Sequence, residues 1–338
     1  MKIDAPLLSP NPLDARAIAR QLEADGYAGA YTFDGPGEPF LPLAIAAEHT
    51  SQLQLITAIA VAFARNPMLV AQLGNDLQRM SQGRFLLGLG SQIRPHIEKR
   101  FSMPWSAPAP RMREFVLAVR AIWAAWQGTA PLDFRGEYYT HTLMPPLLTP
   151  APNPYGPPPI LLAGVGPAMT SVASEVADGF LIHPFHSLSY LDDCTMPALQ
   201  RGLAKSGRSR KDFQISCQLL VATGHTPAEV EQAVRALRVQ IAFYASTPAY
   251  RPVLEHLGRG DLQETLSTLA KQGAWGDMGA LIDDELLHSV AIVGTTSAAA
   301  DTIIERYAGK VDRISPTAYI GDPLAASALV KALQTALR

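Results

Sequence analysis

The residues able to do chemistry cluster where short apolar runs end. Gly88-Leu89-Gly90 closes one run, and Gly164-Val165-Gly166 follows another, ILLA. Glycine lets backbone approach a ligand closely, and a helix starting directly afterwards offers free N–H groups and a positive dipole end to a phosphate. Neither pair completes G-x-G-x-x-G, because Ile93 and Met169 stand where the third glycine belongs. Neither is followed about twenty residues on by a ribose-binding acid at a strand end. Phosphate at strand ends is therefore the stronger reading and a dinucleotide fingerprint the weaker, although tight turns use the same glycines. Asp34 ends a third run and precedes Gly35-Pro36-Gly37; it reads as an active-site carboxylate or as a turn aspartate. His183 and His186 follow GFLI. Two histidines three apart could begin a metal site, but no Asp, Glu or Cys cluster completes three or four ligands, so no metal is expected. His183 reads as a polar contact to cofactor or substrate, and His186 as a solvated loop residue.

Two cysteines, Cys194 and Cys217, are too few and too far apart for a disulfide framework, a zinc ribbon or a CxxC redox site. Cys194 sits in a helical pattern with no base nearby, which predicts a buried and inert thiol. No G-x-S-x-G, Walker A, H-E-x-x-H or kinase signature occurs.

Elements of a regular kind must hold these residues. Strand candidates start near residues 2, 28, 53 and 84, each separated by one helix and its loops. Leu53 to Val61 is apolar on both faces, as a buried parallel strand should be. Pro67 suits a first helical turn, after which Val70, Leu73, Leu77 and Met80 line one side. The rhythm returns with strands at 160–163, 179–182, 213–222, 290–293 and 313–319. Helices are predicted at 168–177, 188–204, 227–245 and 298–307. Such alternation predicts an α/β fold with parallel strands, either an open doubly wound sheet or a closed (β/α)8 TIM barrel. A barrel uses about 250 residues and more with insertions, which suits this chain. The surplus lies in a Pro-rich insertion around 128–159 and a helical insertion around 244–288, within one domain spanning 1–338. Eight of the fifteen residues from 145 to 159 are proline. Trp123 and Trp126, on the helix Met112 to Gln127, read as core packing.

Lys and Arg number 28 against 30 Asp and Glu, so no positive excess awaits nucleic acid or an anionic membrane surface. With 48% hydrophobic and 17% charged residues among 338, the chain can bury a large core. Prolines and acids near the N-terminus do not suit a secretory segment, and apolar runs fall short of the roughly 20 residues that span a bilayer. A cytoplasmic enzyme with a small-molecule substrate is expected.

Four stretches then combine: TAIAVAFARNPMLVAQ with LQRMSQGRFLLGLGSQ within 57 to 92, RMREFVLAVRAIWAAW at 111 to 126, PPPILLAGVG at 157 to 166, and EVADGFLIHP at 175 to 184. Their order and spacing resemble the bacterial luciferase-like superfamily, in particular its coenzyme F420-dependent oxidoreductases, and S-x-G-R-F-x-L-G-L-G is the most specific marker. The resemblance implies a (β/α)8 barrel with insertions, usually a homodimer, with deazaflavin or flavin at the carboxyl mouth. By that resemblance Phe33 and Asp34 line the site, and strand three carries a bulge with a non-prolyl cis peptide at Ala58-Ile59. Ala58, Ile59 and Ala60 back the ring there. Gly90, Ser91 and Gln92 form the loop after strand four. Ala163, Gly164, Val165 and Gly166 receive the phosphate, and His183 and Pro184 end strand six.

Two departures bear on activity. The sugar-phosphate dehydrogenases of this family carry a histidine where Gly35 stands and a glutamate where Ile93 stands. True luciferases grip the FMN phosphate with an arginine near Ser91, although Arg94 is close by. The expectation is hydride transfer between coenzyme F420 and a small organic substrate, with Asp34 or His183 moving any proton. An FMN-dependent monooxygenase is the alternative, and a non-catalytic cofactor-binding protein a second. Phe101, Met103, Trp105 and Tyr250 are candidates for the apolar wall of the substrate pocket.

Overall fold

A computed structural model describes residues 1–317 and 319–337. Parallel strands alternate with helices along the chain, and the fold class is the (β/α)8 barrel, not an open doubly wound sheet. The residues group into two compact units. One holds Asp4–Leu181 and Ala198–Gln214; the other holds Met1–Ile3, Ile182–Pro197 and Ile215–Arg338.

In the first unit, parallel ladders join Asp4 to Gly29, Ala30 to Leu55, Leu55 to Phe85, and Leu87 to Ile160. Strand Phe85–Gly90 is buried along its whole length, as are Gly29–Thr32 and the first three residues of Ile160–Gly164. Burial on both faces explains why these runs are continuously apolar. Helices cover them. Asn66 caps the helix Pro67–Met80 by accepting from the Leu69 N–H at 3.0 Å, and Pro67 takes the first turn as the sequence predicts. Trp123 is buried and donates its indole N–H to the Ala71 carbonyl at 3.0 Å, so it is core.

The predicted strand 53–61 is interrupted. Gln54–Thr57 and Ala60–Val61 both pair with Phe85–Gly90. From Ile56 to Ala60 is four steps, but their partners Leu86 and Leu89 are three steps apart. The extra residue is a β-bulge. It contains the non-prolyl cis bond Ala58–Ile59. Thr57 holds the ladder across the gap, because its hydroxyl accepts from the Gly88 N–H and donates to the Gly88 carbonyl, both at 2.8 Å. The chains approach so closely that a Cβ on Gly88 would lie 1.7 Å from the Thr57 carbonyl oxygen, so only glycine fits.

The Pro-rich excursion carries a short antiparallel hairpin, Phe134–Arg135 with Thr140–His141. The Glu114 carboxylate anchors it by accepting from the N–H groups of Glu137, Tyr138 and Tyr139 at 2.6–2.9 Å. Charge-assisted bonds of this kind let a loop without regular pairing keep one conformation.

In the second unit, Lys2 and Ile3 pair with Arg313 and Ile314, which pair with Ser216 and Cys217. The predicted strand 213–222 divides here. Gln214–Gln218 stays in this ladder, whereas Val221–Gly224 forms a separate parallel pair with Ile292–Thr295. The exchange happens at Leu219 and Leu220: Leu219 N–H still donates to Ser315, but the Leu220 carbonyl accepts from Ile292. The last predicted strand ends at Ser315, since Pro316 has no N–H to continue it; Ala318 lies outside the described residues. Four helices, Arg251–His256, Leu262–Gln272, Trp275–Ala280 and Asp284–Val290, fill most of the stretch where helical segments are expected. Exposed ion pairs lie along them: Arg251 with Glu255 in its own helix and with Glu264 in the next, and Arg259 with Asp283 and Glu285.

His186, expected in solvent, is instead 4% exposed. One ring nitrogen meets the His183 carbonyl at 2.9 Å and the other the Tyr307 hydroxyl at 3.1 Å. The apolar residues around the loop hide it, which the sequence pattern HPFH does not reveal. Burial lowers its pKa to about 4, against the opposing hydrogen bonds to the backbone of His183 and Pro184.

Two tests follow from these contacts. Thr57→Val removes both hydroxyl bonds and leaves the buried Gly88 N–H and carbonyl unsatisfied, so urea unfolding should show a loss of about 2 kcal/mol. For His186 the unfolded state binds the proton more readily than the native state below the ordinary pKa near 6.5. Stability should therefore fall as pH drops from 7 towards 4, by about 2 kcal/mol at pH 5 from this residue. His186→Asn, followed by urea unfolding at pH 7 and pH 5, should reduce that dependence by about 2 kcal/mol, leaving the share of the buried His183.

Candidate active site

The carboxyl end of strand Gly29–Thr32 carries Phe33 and Asp34. Asp34 is fully engaged. Its Oδ2 accepts from the Val61 N–H and the Arg65 Nη1, both at 2.5 Å, and its Oδ1 accepts from Arg65 Nη2 at 3.1 Å. Its own N–H donates to the Ile59 carbonyl at 2.9 Å. Both partners are largely buried, with side-chain exposures of 16% for Arg65 and 8% for Asp34. Arg65 also reaches Glu38 and lies over the Phe40 ring, 5.5 Å from its centroid. A forked guanidinium matched to a carboxylate fixes orientation as well as charge. Asp34 thereby ties the end of strand two to the bulge of strand three. Arg65 was missed in the sequence because nothing in AFARNP marks one arginine as the partner of an aspartate 31 positions earlier.

Ala58 and Ile59 emerge from the bulge partly exposed, with Ala163 of Ile160–Gly164 beside the same support. All three rest on a buried cluster of Tyr31, Ile56, Leu86, Leu161 and Leu181. Ala60, next in sequence, points into the core and is 0% exposed. Gly90 belongs to this ledge, since a Cβ there would meet the Ile59 Cδ1 at 2.8 Å. Beyond it Ser91 donates to the Gln92 carbonyl at 3.1 Å, and Gln92 adopts φ 61° with its own side chain accepting from the Ile93 N–H. Arg94 turns to Glu98 at 3.0 Å on the exposed side.

After Ala163 come Gly164, Val165 and Gly166. A Cβ on Gly164 would strike Met169, and Gly166 has φ 85° with open space where its side chain would be. Gly166 is the N-cap of helix Pro167–Val176, and no side chain caps that end. The helix N-terminus therefore keeps polar donors for an anion. Gly35 is also explained: a Cβ there would meet the Phe33 ring at 2.8 Å, so the ring of Phe33, 40% exposed, occupies the space a larger residue would need.

The second unit holds His183 and Pro184. His183 Nδ1 accepts from the Phe185 N–H at 3.1 Å, which leaves the proton on Nε2. Its ring stacks on Tyr250 at 4.2 Å and meets Tyr244 edge-on at 4.8 Å. The Tyr244 and Tyr319 hydroxyls are 2.7 Å apart. Burial, with the neighbouring His186 as a lesser cause, lowers the His183 pKa far enough to keep the ring neutral near pH 7. Burial likewise pushes the Tyr244 and Tyr250 phenols up. Asp34 and His183 fall in different units, whereas Tyr250 joins His183 in the second. Of the other wall candidates, Trp105 packs edge-on against Phe63 at 6.0 Å, and Phe101 lies under Arg100 at 4.9 Å. Tyr244 and Tyr319 were not singled out in the sequence, since a tyrosine late in a helix and one after a strand look like ordinary packing.

Among the described residues no group of three or more His, Cys, Asp or Glu could hold a metal, and no helix is long and apolar enough to cross a membrane. Cys194, expected to be buried and inert, is partly exposed and lies beside His256.

Comparison with known proteins places the chain in a family. An uncharacterized protein of Mycobacterium tuberculosis is 55% identical over 317 residues, which is 94% of this chain and 93% of that one. The 5,10-methylenetetrahydromethanopterin reductase of Archaeoglobus fulgidus is 28% identical over 270 residues, covering 78% and 75%. A solved coenzyme F420-dependent tetrahydromethanopterin reductase from Methanopyrus kandleri has the same fold, with a TM-score of 0.80 at 20% identity over 97% of this chain and 96% of that one. The family description of luciferase-like monooxygenases matches residues 2–313, and the chain belongs to that family.

Proposed function

We propose that this member of the family is an oxidoreductase that moves a hydride between coenzyme F420, a deazaflavin, and a small organic substrate. The observation that carries this reading is the ledge of Ala58, Ile59 and Ala163. It is apolar, partly open and rigidly backed by buried side chains, which suits the face of a planar ring. Gly90 keeps the ledge clear, and the uncapped helix end behind Gly166 suits a phosphate, so the residues present fit the cofactor. The reductase relatives named above favour a deazaflavin. So does the exposed pairing of Arg94 with Glu98, which leaves Ser91 where an FMN-gripping arginine would stand.

When bound, the deazaflavin supplies a two-electron hydride donor or acceptor. The chain's own part is to hold, orient and exclude water. Ile59, Ala58 and Ala163 would back the ring, and Gly164, Val165 and Gly166 would receive the phosphate. Asp34 keeps the bulge in place through Val61 and Arg65, with both carboxylate oxygens engaged; it acts here as a clamp. His183, neutral with its proton on Nε2, offers a hydrogen bond to a substrate oxygen. Pro184, buried beside it, stiffens the end of that strand. The family description favours the second reading, an FMN-dependent monooxygenase.

Anaerobic titration of the purified protein with reduced F420 and with reduced FMN, read by fluorescence or calorimetry, tests the choice. The expected result is a micromolar dissociation constant for F420 and an FMN affinity at least about tenfold weaker. The reverse order would turn the assignment to the monooxygenase. Tight binding without cofactor oxidation or reduction over a broad substrate panel would make the protein a carrier. Asp34→Asn keeps an acceptor for Val61 but removes the charge that Arg65 matches. Its F420 dissociation constant should rise about tenfold, the equivalent of roughly 1.4 kcal/mol. A value within about twofold of wild type would take Asp34 out of the cofactor site.

A further inference from the structure

Away from the residues assigned above, the second unit brings a cysteine, a histidine and an aspartate together. Cys194 lies on the π-helical turn Leu191–Thr195, between the helical turn Leu188–Tyr190 and the helix Met196–Ser206. His256, at the end of helix Arg251–His256, places its Nδ1 3.9 Å from the Cys194 Sγ. Its Nε2 is 3.4 Å from the Asp193 carboxylate. A carboxylate at Nε2 favours the tautomer protonated there, so the Nδ1 lone pair is left facing the thiol. This is the spatial order of nucleophile, base and orienting acid that activates a cysteine. Of the other groups nearby, Tyr190 meets the His256 ring edge-on at 5.7 Å, and its phenol is held up by burial and by Cys194. Asp192 is paired with Lys310 at 2.5 Å, which offsets one of the two acids beside the sulfur. Access is open: Cys194 is partly exposed, and Asp193 has 66% side-chain exposure. Cys217 provides the contrast. It is fully buried, and burial pushes its thiol far up.

We propose that Cys194 is a modification site: a reactive thiol, with His256 as its base and Asp193 positioning that base, which takes up low-molecular-weight disulfides. Nδ1 of His256 accepts the thiol proton, and the Cys194 sulfur attacks one sulfur of the disulfide. A new S–S bond forms as the old one breaks. The Cys194 sulfur is oxidised, the departing half is reduced to a thiol, and His256 returns the proton to it.

The test uses the full chain with iodoacetamide, and separately with oxidised glutathione, at pH 7. Labelling is followed by peptide mass spectrometry. Cys194 should be alkylated, and should gain one glutathione per chain, while Cys217 stays unmodified and so reports that the fold is intact. His256→Gln should slow both reactions at Cys194 by about tenfold or more. Asp193→Asn should slow them by a smaller factor and Asp193→Glu should restore most of the rate, a rescue that a purely structural role would not give. Rates within about twofold of wild type in His256→Gln, with Cys217 protected, would overturn the proposal. If His256→Gln exposes Cys217, the exposed Asp193 position carries the test, and an unchanged rate in Asp193→Asn overturns it equally.

Discussion

One hydroxyl group holds the site in register. At the bulge of the third strand the chain carries one residue more than its partner, and the regular ladder cannot close across Ala58 and Ile59. The Thr57 side chain closes it, serving as acceptor and donor for the same glycine. Because Gly88 has no side chain, the two strands come close enough for a side chain to substitute for backbone. From there Ala58 and Ile59 are turned outward while Ala60 returns to the core. The apolar ledge, the acceptor for the Asp34 N–H and the donor to the Asp34 carboxylate all follow from this slip.

The second constraint is charge. A carboxylate as enclosed as Asp34 is costly unless each oxygen is answered, and Arg65 with the Val61 N–H answers both. That commitment makes Asp34 a mechanical part: it pins the bulge to the neighbouring strand end. His183 solves the same problem the other way. It stays neutral, spends one nitrogen on the Phe185 N–H and keeps the other for a hydrogen bond, with tyrosine rings against its faces and edge.

Much of this was legible in the sequence. Continuous apolar runs at helix-and-loop spacing reported parallel strands because strands buried on both faces need them. Glycines 88, 90 and 164 stand where a Cβ would collide with a neighbour, whereas Gly166 has open space and a positive φ. What the sequence hid was long-range. Arg65 finds Asp34, and His256 finds Cys194, only after folding, and no spacing rule links positions 31 or 62 apart. His186 misled because a polar residue in a proline-bearing loop looks solvated until the surrounding aromatic and aliphatic groups are seen to close over it. The run 213–222 misled in another way, since an apolar strand that changes partners halfway reads the same as one that does not.

The helices between Arg251 and Val290 add surface charge pairs to a buried apolar face that includes Val253, Leu254, Leu266 and Leu287. Arg251, Arg259 and their acidic partners lie in water, where dissolved ions screen them over about 8–10 Å. Strand ladders and close-packed methyl groups feel no such screening. Tyr250, the residue stacked on His183, immediately precedes Arg251. Added salt thus loosens only this outer layer, whose pairs are each worth little, while Val253 and Leu254, fully buried just beyond Arg251, hold the helix that follows Tyr250.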